Sequence, residues 1–130
     1  MATRVTQPAA VKDILLNQGA DYRMQVRLLT GTKEESTPID ITGYTFSCKV
    51  RESADDDAVT AEAQCNIIDA PNGLMEIFFD DAVTGKIDVD GQTYDETTDF
   101  VWDLYATAPE GDTLRIMNGT CSVSPGVSFD

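Results

Sequence analysis

The chain has 130 residues, 42% of them hydrophobic, with 23 Asp and Glu against 9 Lys and Arg, no histidine and a formal charge of −14. That length and apolar content fit one domain with a packed core and argue against a disordered acidic segment. The charge argues against a nucleic-acid partner, whose phosphates need Lys and Arg, and against an anionic membrane surface. Two readings of the charge stay open: solubility and self-avoidance, or a negative surface that docks on a basic partner.

Residues 1–11 carry Arg4 and Pro8, little apolar content and no period, and read as a flexible N-terminal arm ahead of a domain spanning 12–130. The arm has no signal-peptide-like apolar run, and no segment approaches the ~18–20 apolar residues of a membrane span, so synthesis in a cytoplasm is expected. Lys12 to Gln18 reads as a short first strand. Asp21 to Leu29 is a second, with Tyr22, Met24, Val26 and Leu28 alternating against Arg23, Gln25 and Arg27.

After a charged turn from Gly31 to Pro38, the segment from Ile39 to Arg51 enters strict alternation. Tyr44, Phe46, Cys48 and Val50 fall on one side, and Thr45, Ser47, Lys49 and Arg51 on the other. Asp55, Asp56 and Asp57 mark an exposed loop. Val59, Ala61, Ala63, Cys65 and Ile67 alternate along a long strand, which is either an edge open to a partner strand or an internally paired one. A turn at Ala70-Pro71-Asn72-Gly73 predicts a hairpin with Leu74 to Phe79.

Asp80 to Thr98 is irregular: Asp81 to Lys86 fits one helical turn, and Asp90-Gly91 a tight turn with a short strand on either side. Phe100, Trp102, Leu104 and Ala106 alternate next. The final strand, Thr113 to Ser124, shifts its apolar parity from Leu114 and Ile116 to Cys121 and Val123, and Gly119 near the shift predicts a β-bulge there. The fold class that follows is all-β: a single antiparallel Ig-like β-sandwich of about seven to eight strands.

Three cysteines, Cys48, Cys65 and Cys121, sit within predicted strands at wide spacings and read as free buried thiols. Without histidine or a CxxC pair, ordinary zinc sites are excluded. Asn118-Gly119-Thr120 fits a glycosylation sequon, which carries no weight without a secretion signal.

The segment Ile39-Asp40-Ile41-Thr42-Gly43-Tyr44-Thr45, leading into a strand that ends in Arg51, resembles a widespread bacteriophage family. Its members are small β-sandwich domains similar to the N-terminal domain of phage baseplate upper proteins, found on tail and baseplate accessory proteins. Other parts of the pattern match in order. They are Ile14 to Asn17, the Gln18-Gly19-Ala20-Asp21 turn, Tyr22 to Leu29, and Asn72-Gly73 with Leu74 to Phe79. Phe100-Val101-Trp102-Asp103-Leu104 and the closing Gly119-Thr120-Cys121-Ser122-Val123-Ser124-Pro125-Gly126-Val127 complete the set. The resemblance covers about residues 12–128. Ile87 to Thr98 departs from it, being longer and more acidic, and the chain stops at Asp130 with no fibre or coiled-coil extension, which implies a stand-alone subunit or a clip.

The resemblance implies a non-enzymatic virion protein, tail- or baseplate-associated, that docks on other virion structural proteins in a symmetric multi-copy assembly. A capsid-decorating or neck position is the alternative within that class. From another class, a carbohydrate-binding adhesion module would need exposed aromatics, for which Trp102, Tyr105, Tyr44 and Tyr94 are the candidates. Trp102 also fits the buried core tryptophan of a sandwich.

Candidate partner-binding residues are Arg4, Val5 and Pro8 on the arm, which is expected to order on assembly, and Tyr94 in the acidic loop. No cofactor is expected. Asp88-Val89-Asp90-Gly91 fails the EF-hand pattern, since Lys86 and Thr97 stand where acids are needed. A less regular calcium site would draw on Asp88, Asp90, Asp95, Glu96 or Asp99, against the plainer reading of a solvated acidic loop. No Gly-x-Ser-x-Gly elbow or P-loop is present, no nucleophile–histidine pair can form, and no carboxylate pair is set apart for glycoside hydrolysis.

Overall fold

The computed structural model describes residues 10–31 and 35–128, together with the backbone of residues 2–4. Among the described residues, ten strands, a 3-10 turn at Ala70–Asn72 and one α-helical turn follow one another: β1 (Ala2–Arg4), β2 (Ala10–Val11), β3 (Ile14–Asn17), β4 (Tyr22–Gly31), β5 (Ser36–Pro38), β6 (Thr45–Arg51), β7 (Ala61–Asp69), β8 (Leu74–Phe79), α1 (Asp81–Thr84), β9 (Thr98–Thr107) and β10 (Thr113–Ser124). They form one curled sheet in the order β1-β4-β8-β7-β6-β9-β10-β2, with β5 also on β4 and β3 also on β10. The all-β expectation stands. The strand number exceeds the seven or eight expected, because β1, β2 and β5 are only two or three residues long and show no readable period.

The antiparallel expectation needs correction at three pairings. β1 runs parallel to β4, and both β2 and β3 run parallel to β10. The segment read as an arm therefore supplies backbone to both halves of the sheet.

Alternation does the work along most strands. Val26 and Leu28 of β4, Cys48 and Val50 of β6, Met75, Ile77 and Phe79 of β8, and Phe100, Trp102 and Leu104 of β9 all turn into one shared core. Burying a Leu, Ile, Val, Phe or Met side chain contributes roughly 1.5–3 kcal/mol each before chain entropy is subtracted.

β7 is where the sheet curls. Residues 61–63 pair with β6, and residues 64–69 pair with β8 in the predicted hairpin. Each half is thus paired on one side, so β7 is neither a plain edge nor an internal strand. The bend ends the expected alternation: Ala61 and Ala63 are buried, Cys65 is half-buried, and Val59 and Ile67 are exposed. In β10 the register shift lies between Arg115 and Met117, three residues or so before the expected bulge at Gly119. It puts both Ile116 and Met117 into the core and leaves Leu114 at the surface.

Gly119 has a different task. A Cβ there would collide with the carbonyl of Lys12, and Lys12 in turn accepts a hydrogen bond from the Trp102 indole N–H at 2.8 Å. The Lys12 amide donates to the Asn118 carbonyl (2.8 Å), and the Thr120 amide to Asp13 Oδ1 (3.0 Å). This crossing seats β2 and β3 on β10. The Gly119→Ala variant is expected to lose about 1–3 kcal/mol, the usual range for overpacking a fitted interior, read as a lower urea midpoint at unchanged m-value.

Cys48 and Cys121 are buried and Cys65 half-buried, and all three are free thiols, as expected. Loss of hydration pushes the Cys65 thiol up to about 11 and the Cys121 thiol up to about 12, and raises Cys48 as well. The thiols therefore stay protonated in the fold when an unfolded chain, with thiols near ~8.5, begins to lose protons. Stability from this source is complete below that value and is lost as pH rises above it, because the unfolded state then binds fewer protons. At pH 8 a thiol reagent should modify the native protein slowly, Cys65 first, and label all three positions rapidly in denaturant.

Candidate functional site

Two surfaces carry chemistry. The first is the tip formed by the acidic loop and the end of the chain. Its backbone is held by Ser124 Oγ donating to the Tyr94 carbonyl (2.8 Å), by Thr98 Oγ1 accepting from the Asp90 amide (3.0 Å), and by the Glu96 amide donating to Thr93. No strands flank Asp90-Gly91, contrary to expectation; turns and these side-chain bonds take their place. Tyr94 is 67% exposed and Val127 is 77% exposed, and both line one hollow with Pro125 and Gly126. Gln18 braces the hollow from behind: its Nε2 donates to the Ile87 carbonyl (2.8 Å), and its Oε1 accepts from the Gly126 amide (3.0 Å).

Among the described residues, no three of the calcium candidates bring their carboxylates within 4.8 Å of one another, although Asp95 and Glu96 both accept from the Thr93 hydroxyl. Asp95 Oδ1 accepts from the Thr93 hydroxyl at 2.6 Å, and Asp99 Oδ1 from the Ser122 hydroxyl at 2.7 Å. Hydrogen bonding from Thr93 lowers the Asp95 carboxyl below its ordinary range. Among the described residues, the carboxylates that gather within 4.8 Å are those of Asp21, Asp80 and Asp81. Their use is structural. Asp80 caps α1 by accepting from the Ala82 amide (3.0 Å), and Asp21 Oδ1 accepts from the Asp81 amide (2.8 Å). The Ala82 amide holds the Asp80 carboxyl low, while the hydrogen bond with Asp80 and the charge of Asp21 raise Asp81. The cap at Asp80 was readable from the Asp before a helical turn; the arrival of Asp21, brought beside it by the Tyr22–Phe79 pairing of β4 with β8, was not.

The second surface is a polar trough on the outer face of β6, β9 and β10, and sequence reasoning missed it. Cross-strand register sets Lys49 opposite Asp103 and Arg51 opposite Val101, with Arg115 opposite Tyr105 and Asn118 opposite Asp103 on the other side. Two adjoining hollows, about 360 Å³ and 520 Å³, share Lys49, Arg51, Ala54, Asp103 and Tyr105, and the second is also lined by Asp55, Asp56 and Asp57, so carboxylates offset the cations there. Arg51 Nη1 donates to the carbonyls of Asp56 (3.1 Å) and Asp57 (2.8 Å), which fixes the guanidinium at one end. Among the described residues, none of the three cations is ion-paired; the ion pair present joins Arg23 and Glu76 at 2.9 Å on another face. Partial burial raises the Asp103 carboxyl above its ordinary value, against the opposing pull of Arg115, Arg51 and Lys49.

Of the remaining candidates, Val5 and Pro8 lie outside the described residues, and Arg4 lies in β1 with its backbone opposite Leu29. Trp102 is buried and points into the core, so it offers no stacking platform; Tyr44 stacks on Phe46 with ring centroids 6.2 Å apart. Tyr105 is half-buried within the trough, and Tyr94 stands out at the tip.

No family model matches the chain, and no curated protein matches it. Among solved structures, murine CRIg is similar over 88% of this chain and 92% of that one, at 8% identity and a TM-score of 0.35. At that level the likeness carries no argument about lineage or activity.

Proposed function

We propose that this chain is an Ig-like β-sandwich serving as a non-enzymatic structural protein of a bacteriophage virion, an adaptor associated with the tail or baseplate that docks on other virion proteins. Synthesis in the host cytoplasm and incorporation in symmetric multiple copies belong to the same reading. The observation that carries it is the ordered set of turn-and-strand segments that resembles the phage family.

Two segments of that set have a definite structural task in this chain. Asp40 Oδ1 accepts from the Thr42 amide (3.0 Å) and hydroxyl (2.6 Å), and Gly43 turns the chain at φ +78° to launch β6. Ile41, between them, is fully buried. The closing Gly119 to Val127 segment holds the Lys12 crossing at one end and the Gln18 brace at the other.

The tip bearing Tyr94 and Val127 is the docking face in this proposal. It combines exposed apolar side chains with a braced backbone, so little conformational entropy is lost when a partner covers it. Mass spectrometry of density-banded particles from the source lysate tests the assignment. A copy number in the range of tail or neck components is expected. A count matching the major capsid protein would move the chain to the head surface, and absence from particles would remove the virion reading. Tyr94→Ala should keep the fold and lower incorporation.

A further inference from the structure

A third hollow opens at the end of the β9–β10 hairpin away from the tip. The geometry points to it as a socket for a lysine side chain presented by a partner protein, with the aliphatic stem inside and the charge at the mouth. The inference goes beyond the virion reading and does not depend on it. The ten residues of β9 separate this end from the tip, about 30 Å at ~3.3 Å per residue, so the two sites can be filled at once.

The floor is core: Leu28 of β4 and Ile116 of β10 reach it, and both are fully buried. Ile39 and Tyr44, from the segment that launches β6, form walls together with Ala106 and Leu114 of the hairpin. Leu114 is 41% exposed because it borders this hollow instead of filling the core. The volume is about 140 Å³, below the roughly 300–1,000 Å³ of small-molecule sites, and suits one inserted side chain. The walls are set before anything binds. The Ala108 amide donates to the Asp112 carbonyl (2.8 Å), and the Gly111 amide to the Ala108 carbonyl (2.9 Å), closing the hairpin turn. The Thr107 and Thr113 hydroxyls are bonded across its base at 3.0 Å. Pro109 seats the turn on Gly43, where a Cβ would come within 3.0 Å of the proline ring. A mouth held this firmly loses little conformational entropy on binding.

The mouth decides the charge of the occupant. Glu110 and Asp112, both exposed, are the charged residues that line the hollow, and no Lys or Arg does. The sequence has no Lys or Arg between Lys86 and Arg115, and among the described residues neither carboxylate is ion-paired. Here, unlike in the trough, the negative charge meets no cation. An apolar shaft under an anionic rim matches a methylene stem with a cationic end. The stem leaves water, while the head stays hydrated beside the carboxylates. Lysine fits best of the basic side chains. Its ammonium is a compact charge with three donors on an unbranched stem and can serve two separate carboxylates, whereas the arginine fork is matched to one. An acidic side chain would be repelled at the rim, and by the field of a chain carrying −14 before it arrived.

The test uses the full chain and an end-capped glycine pentapeptide with one central lysine. Matched peptides carry norleucine, Nε-acetyl-lysine or glutamate at the centre. Methyl-resolved NMR titration gives affinity and site together. The lysine peptide is expected to shift the methyl signals of Leu28, Ile39, Leu114 and Ile116 saturably. The norleucine and acetyl-lysine peptides should bind more weakly, and the glutamate peptide not at all. Glu110→Gln and Asp112→Asn, both on the exposed turn, should each weaken the lysine peptide about two- to fivefold, the range of an exposed ion pair. Neither should change the norleucine peptide. Ala108→Leu, which fills the hollow, should abolish binding in a protein whose melting curve shows it folded. Equal binding of the lysine and norleucine peptides would reduce the hollow to a plain apolar dent and overturn the inference. So would lysine-peptide shifts spread over the acidic surface instead of those four methyls, or no saturable shift in the folded protein. None of these outcomes bears on the particle copy number that tests the virion reading.

Discussion

The crossing of Lys12 over Gly119 is the constraint from which the rest of the architecture follows. One carbonyl accepts the indole N–H of the buried Trp102, and the neighbouring position on β10 has no side chain to block the approach. With that contact made, the chain enters as β2 and β3 along β10, and Gln18 is carried to where it can hold Ile87 and Gly126 together. The tip is thereby braced from beneath. The crossing lies on the inward side of β10, while on the outer face of β6, β9 and β10 the loop from Ala54 to Asp57 closes over Arg51.

The legible part of the sequence was the part governed by local periodicity. β4, β6, β8 and β9 announce themselves because each keeps one face in the core along its whole length. β7 was legible only to Ala63. There it leaves β6 for β8, and the change of partner turns Ile67 outward, something a period of two along a single strand cannot report. In β10 the parity change was visible but its position was not, because Ile116 and Met117 are equally apolar and the glycine drew attention to itself for a reason of packing rather than of register. The parallel pairing of β1, β2 and β3 is a purely tertiary fact, decided by which edge lies within reach of the chain.

The surfaces divide along the same line. Tyr94 could be singled out because an aromatic in an acidic loop has no core to enter. The trough could not, since its six working side chains come from three strands that meet only on folding. The one signal available was that Lys49, Arg51, Asp103 and Tyr105 all fall on the wet parity of their strands.

The parallel pairing of β3 with the end of β10 has a mechanical consequence. Ile14 to Asn17 lie beside Cys121 to Ser124 and run in the same direction. Tension applied between Ile14 and Ser124 is aligned with the strands, so the ladder bonds are loaded in shear and share the force, instead of opening one after another as in a hairpin pulled from its mouth. Such a pair works as a clamp that yields late and all at once.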